Sequence, residues 1–229
     1  MDKQGGRLAG VSGILFVVLI YSGVILGDTG ILGGEPEPPP DAGGEEFVAY
    51  FTSSHSALLL KSYLVSLSFC CFLIFLVSLY NAVLRDEQRL RMLGLVAFGG
   101  GVTATALQLA SQALQWVGAS SAQKGLDPQT ASVLREVGTI LWVTAWFPLA
   151  VLLAATALGV AVSHALLPRW LGWAAGVLAV GFLGVALLMA LSPASLIWIF
   201  VYMLFALWII TTSIILIRRA GRRRSTGSL

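Results

Sequence analysis

Three glutamines on one helical face, with a lysine and a glutamate elsewhere in the chain, are the side chains here with the most chemical scope. Gln108, Gln112 and Gln115 follow Thr105 at steps of three and four, and Gly94, Phe98 and Gly101 carry the same stripe towards the start of that helix. A carboxamide in hydrocarbon needs hydrogen-bond partners, so such a face turns towards other helices. Two outcomes follow. The stripe lines a polar cavity together with Lys61 and Glu136, or it holds helices together through interhelical hydrogen bonds of about 0.6 kcal/mol each. Lys61 either snorkels from just inside an interface or pairs with Glu136, and a pair requires their two helices to be neighbours.

Other reactive residue types form no constellation. His55 and His164 belong to opposite ends of different apolar runs, which separates them by a membrane crossing and leaves each to interfacial hydrogen bonding. Cys70 and Cys71 are adjacent within one apolar run and read as packing residues. There is no Cys-x-x-Cys, no phosphate-binding loop with Lys and Ser or Thr, and no deep carboxylate of the kind an ion-coupled pump uses. Gly99, Gly100 and Gly101 lie inside a helical run, where they permit close packing. The expectation is therefore no catalytic residue, no metal and no cofactor, with the balance against an enzyme.

The elements that carry these side chains follow from composition. The chain is 57% hydrophobic and 11% charged, against about 25% charged for a soluble domain. Six apolar runs reach the roughly 20 residues that a helix needs to cross a bilayer, and none alternates as a barrel strand would. The expected fold is an all-α membrane protein, a single domain over 1–229 made of six transmembrane helices with both termini cytoplasmic. The spans are about Leu8 to Gly27, His55 to Leu84, Met92 to Trp116, Pro128 to Leu166, Trp170 to Leu191, and from beyond Ser192 and Pro193 to Ile217.

The first span is too long for a signal-peptide core and is expected to be retained. An external loop, 28–54, is acidic and Pro-rich at Glu35 to Asp41, hence extended, and returns through Phe47, Val48, Tyr50 and Phe51 as a short interfacial segment. Asp127 before Pro128 reads as an N-cap with Pro at the first helical position, and a bend is expected near Pro148.

Orientation comes from Lys and Arg. Of 14, eleven fall on one side: Lys3, Arg7, Arg85, Arg89, Arg91, Arg169, Arg218, Arg219, Arg222, Arg223 and Arg224, leaving Lys61, Lys124 and Arg135 on the other. The richer side is cytoplasmic. Arg7, Arg91 and Arg169 each precede a Gly by three residues at a helix start, an arrangement in which Arg reaches headgroups while Gly admits a neighbouring backbone. The tail, 218–229, carries Arg218, Arg219, Arg222, Arg223 and Arg224, a cluster worth about 1 kcal/mol per residue near anionic lipid. These basic residues are the expected contacts with anionic lipid at the cytoplasmic face; no motif points to nucleic acid.

Leu79 Tyr80 with Leu84 Arg85, Trp146 Phe147 Pro148 Leu149, and Leu167 Pro168 Arg169 Trp170 Leu171 Gly172 Trp173 resemble uncharacterised six-span membrane proteins of actinobacterial type, close to the family called domain of unknown function 4386. The resemblance implies six spans and a multi-pass place in the bacterial cytoplasmic (inner) membrane, and brings no reaction with it. Function then divides between a non-catalytic membrane protein acting through protein or lipid partners, a homo-oligomer or another membrane protein among them, and a small-solute transporter or channel with a polar cavity open to the external side. A reporter fused after Leu229 is expected to read cytoplasmic; an external signal there breaks the six-span count.

Overall fold

The computed structural model describes residues 3–28, 36–39, 42–83, 88–162, 167–191 and 197–222, and its elements there are all helices. They are α1 (Lys3–Asp28), α2 (Gly44–Ser53), α3 (His55–Val83), α4 (Gln88–Ala122), α5 (Pro128–Thr144), α6 (Trp146–Val162), α7 (Arg169–Leu191) and α8 (Ile197–Arg222). Six stretches are long and apolar enough to cross a membrane: α1, α3, α4, α5 and α6 taken together, α7 and α8. The chain is thus an all-α, multi-pass membrane protein. Glu35, Pro40, Asp41, Arg85, His164, Ser192, Pro193, Arg223 and Arg224 lie outside the described residues.

Local sequence explains the helix ends. The Asp127 carboxylate accepts the Thr130 N–H at 3.0 Å and Pro128 occupies the first turn, so the expected cap of α5 is present. Where a bend near Pro148 is expected, the helical pattern is interrupted for one residue at Ala145, between the end of α5 and the start of α6. Proline has no N–H for the Thr144 carbonyl four residues back, and its ring crowds that carbonyl. Pro148 instead sits in the first turn of α6, where an N–H has no helical partner anyway. α4 runs to Ala122, beyond the expected end at Trp116, because Ala119 and Ala122 are buried against aromatic rings of α2.

Two compact units make up the chain. One comprises residues 18–69 and 106–145. In it the segment expected to lie at an interface is a full helix, α2, entered from extended Gly43 with Glu45 and Glu46 in the favourable first turn. Its Phe47, Tyr50 and Phe51 pack with Leu58 of α3, Ala119 and Ala122 of α4, and Ala131 of α5. Gly118 is what lets Phe51 in: a Cβ there would stand 2.8 Å from the ring.

The other unit comprises residues 1–17, 70–105 and 146–229. Aromatic rings form its centre. Phe16 and Phe72 lie 4.8 Å apart between centroids, Phe182 and Phe205 5.6 Å, and Phe182 and Tyr202 5.4 Å, the last two edge to face. Buried Trp146 satisfies its indole by donating Nε1–H to the Tyr202 hydroxyl at 2.9 Å, and Trp208 donates to the Leu171 carbonyl at 3.1 Å. Two of the Arg-x-x-Gly glycines sit at tight contacts: a Cβ on Gly10 would stand 2.6 Å from the Ser213 carbonyl, and one on Gly172 2.9 Å from Val160.

Gly99 and Gly100 separate close packing from mere absence of a side chain. A Cβ on Gly100 would stand 2.6 Å from the Pro148 carbonyl oxygen and 3.0 Å from the Leu152 nitrogen, backbone atoms that cannot swing aside, whereas one on Gly99 meets nothing within 4 Å. Gly100→Val is expected to cost about 1–3 kcal/mol through overpacking, read as a lower Tm in detergent. Gly99→Ala is expected to hold or raise Tm, since removing an unneeded helical glycine gains about 0.5–1 kcal/mol.

Candidate functional site

The polar side chains of the second half of α4 meet α3 and α5 within the unit of residues 18–69 and 106–145. Two hydrogen bonds set the register. His55 Nδ1 lies 2.8 Å from the Ala119 carbonyl, which can only accept, so the ring proton is on Nδ1. Ser66 and Gln112 line one groove. As numbers rise along α3 they fall along α4, so the pair is antiparallel, with Ser62 level with Gln115. On the other side the Ser111 hydroxyl donates to the Gly138 carbonyl at 2.8 Å. A Cβ at Gly138 would stand 3.9 Å from the Ser111 hydroxyl, an ordinary contact, and an antiparallel α5 brings Arg135 level with Gln115.

This register gathers buried polar atoms that lack partners. Ser62 Oγ, Gln112 Oε1, Gln115 Oε1 and Arg135 Nε are each buried without a hydrogen bond. Ser62 is 1% exposed and Gln112 7%. An unmet polar group in a dry interior costs about 1–3 kcal/mol, so four in one unit mark the place where this bundle departs from plain packing. Beside them a groove of about 320 Å³ is lined by Ser66, Leu109, Gln112, Ala113, Trp116 and Val117. Its walls are mostly apolar, and its polar side-chain groups are one hydroxyl, one amide and the Trp116 indole N–H.

Each of the other expected site residues has a definite place. Gln108 is buried on the same face of α4. Thr105 is buried, groups with the other unit, and returns its hydroxyl to the Gly101 carbonyl at 2.9 Å, which satisfies it within its own helix. Lys61 is only 8% exposed; its stem lies against Gly27 of α1, where a Cβ would stand 2.6 Å from Lys61 Cδ. Glu136 is on the exposed side of α5. Its neighbour Arg135 turns the other way, forming an ion pair with Glu37 and donating to Thr139 Oγ1. Of the basic residues expected at headgroups, Arg91, Arg169 and Arg218 are exposed at helix ends; the side chains of Arg7, Arg219 and Arg222 lie outside the described residues.

Sequence reasoning missed Ser62, Ser66 and Glu37. His55, Ser62 and Ser66 are spaced by seven and four on one face of α3, a pattern that pointed to α4. Nothing marked Glu37, which meets Arg135 across a long separation in the chain. Chemically the arrangement offers neutral donors and acceptors with a single guanidinium. No group of three His, Cys, Asp or Glu side chains that would hold a metal exists among the described residues. Compared with family models, curated proteins and solved structures, the chain matches none.

The Arg135–Glu37 pair fastens residues 36–39 to α5, with both side chains partly exposed. A pair of this kind contributes about 0–1 kcal/mol and is screened by salt. Arg135→Gln is expected to lower Tm by only a few degrees in low salt, with the difference from the parent chain disappearing in high salt. A loss that persists in high salt would show that Arg135 acts through packing of its stem.

Proposed function

We propose that this is a non-catalytic protein of a bacterial cytoplasmic membrane, with both termini in the cytoplasm, that acts by holding a lipid or protein partner. The groove beside Gln112 is the observation that carries the reading. Gln112, whose unbonded oxygen is itself buried, stands at a groove whose other walls, including exposed Trp116 and Val117, are apolar. An alkyl chain or an apolar helix matches such walls; a freely soluble polar substrate does not. Exposed Arg91, Arg169 and Arg218 support contact with anionic headgroups at the cytoplasmic face, together with Arg7, Arg219, Arg222, Arg223 and Arg224. The resemblance to the family called domain of unknown function 4386 belongs to the same reading and adds the bacterial address.

A second reading has its own support. Unpartnered Ser62, Gln115 and Arg135 atoms accompany Gln112 in one unit, as the lining of a solute cavity open to the external side would require. In that case the protein is a small-solute transporter or channel.

Gln112→Leu separates the two. Native mass spectrometry from mild detergent is expected to find a co-purifying lipid or protein mass on the parent chain, and to find it lost from a Gln112→Leu chain of unchanged Tm. Proteoliposome swelling with glycerol or urea is expected to be unaffected. Swelling that the parent chain supports and Gln112→Leu abolishes would replace partner binding with transport.

A further inference from the structure

The geometry points to α2 as a lid: one turn beneath it, on each of the three helices it covers, lies a polar side chain with a buried, unbonded atom, and lifting α2 lets water reach all three. This goes beyond the partner reading and holds whatever fills the groove.

The layering follows from spacing. α2 rests on Leu58 of α3, Ala119 of α4 and Ala131 of α5. Four residues further into the bundle from each of these contacts, on the same helix face, stand Ser62, Gln115 and Arg135. Ser62 Oγ, Gln115 Oε1 and Arg135 Nε have no hydrogen bond, and each atom has less than 1 Å² of its own surface. Water has no room beside them while α2 is seated, so each one disfavours the closed state and gains a partner in the open one.

The form of α2 suits a part that lifts whole. Its seat is made of small residues, with Gly118 against Phe51 and with Ala119, Ala122 and Ala131 beside it, so no large side chains interlock with its rings there. Its links to the chain are short: extended Gly43 precedes it, and Ser54 alone separates it from α3. Lifted, it does not strand its apolar face in water. Phe47, Tyr50 and Phe51 lie on one side with Glu45 and Glu46 exposed on the other, a pattern that the membrane interface accepts as readily as the bundle does.

Arg135 couples the polar layer to the lid. Its Nε belongs to the layer, while its guanidinium pairs with Glu37 in the segment that leads into α2. Both partners are partly exposed, so the pair is a weak catch and burial of the three rings supplies most of the closing force.

The test uses the full chain in nanodiscs, with Cys70 and Cys71 replaced by Ala and Ser62→Cys as the probe for a small charged methanethiosulfonate. A Cβ on Gly44 would stand 2.6 Å from the Pro128 carbonyl carbon, a backbone atom that cannot swing aside, whereas one on Gly43 meets nothing within 4 Å. Gly44→Ser is therefore expected to speed modification of the probe roughly ten-fold or more by unseating α2, and Gly43→Ser to leave the rate unchanged. Glu37→Gln, which keeps the polar layer intact, is expected to speed it roughly two- to five-fold in low salt and not at all in high salt. Without any substitution, hydrogen exchange is expected to open the amides of α2 as one group, faster than those in the middle of α5. Modification no faster with Gly44→Ser than with Gly43→Ser overturns the lid, as does exchange of α2 only in step with α5. A probe that reacts at the rate of a free thiol with α2 unaltered also overturns it, since the layer is then open already.

Discussion

Hydrocarbon offers no hydrogen bonds, so each polar group that the chain carries into the bilayer must be answered by the chain itself. That constraint accounts for the helices, which satisfy the backbone internally, and for what the hydroxyls do. Thr105, Thr156 and Thr211 each return their hydroxyl to the carbonyl four residues back, and so disappear as polar groups from the bundle's point of view. Tryptophan cannot do this. Trp146 and Trp208 reach a hydroxyl and a carbonyl on other helices, which ties α6 to α8 and α8 to α7. Polar satisfaction and helix pairing are the same event at these positions.

Glycine and alanine set how near the helices come once those bonds are made. Gly100 against Pro148 and Leu152, Gly172 against Val160, and Gly118 against Phe51 are contacts that admit no extra carbon without movement. Where the interior is that dense, unbonded atoms stand out. Gln112, Gln115, Ser62 and Arg135 fall within a short stretch of three helices in one unit, while Thr212 and Ser213 of the other unit can turn back onto their own helix as the threonines do. The unbonded glutamine oxygens have no such retreat, because an amide oxygen only accepts and a backbone carbonyl offers it no proton. This difference directs attention to the glutamines.

Much of the architecture was legible because each span exceeds the bilayer thickness and carries its own end signals, as Asp127 with Pro128 illustrates. The inward direction of Gln108 and Gln112 could be read from spacing alone. The partners of that face could not. Ser62 and Ser66 are small, weakly polar residues in an apolar run, and only the antiparallel register shows that they face α4. Arg135 and Glu37 meet through a fold in the chain that local patterns do not encode. α2 was read as lying at an interface because its aromatics suit that place equally well; burial against Ala119, Ala122 and Ala131 depends on helices far away in sequence.

That aromatic layer bears on traffic through the protein. Phe47, Tyr50 and Phe51 close over the first turn of α3, the last turn of α4 and the first turn of α5, one or two turns beyond Ser62, Gln115 and Arg135. A molecule approaching the amides along the bundle axis from that end meets a permeability barrier of packed rings and would have to lift a whole helix. The groove has no such door, so for a partner of the proposed kind exchange in the plane of the bilayer is the open route, with a residence time that would follow membrane fluidity and composition rather than concentrations in the adjoining aqueous phase.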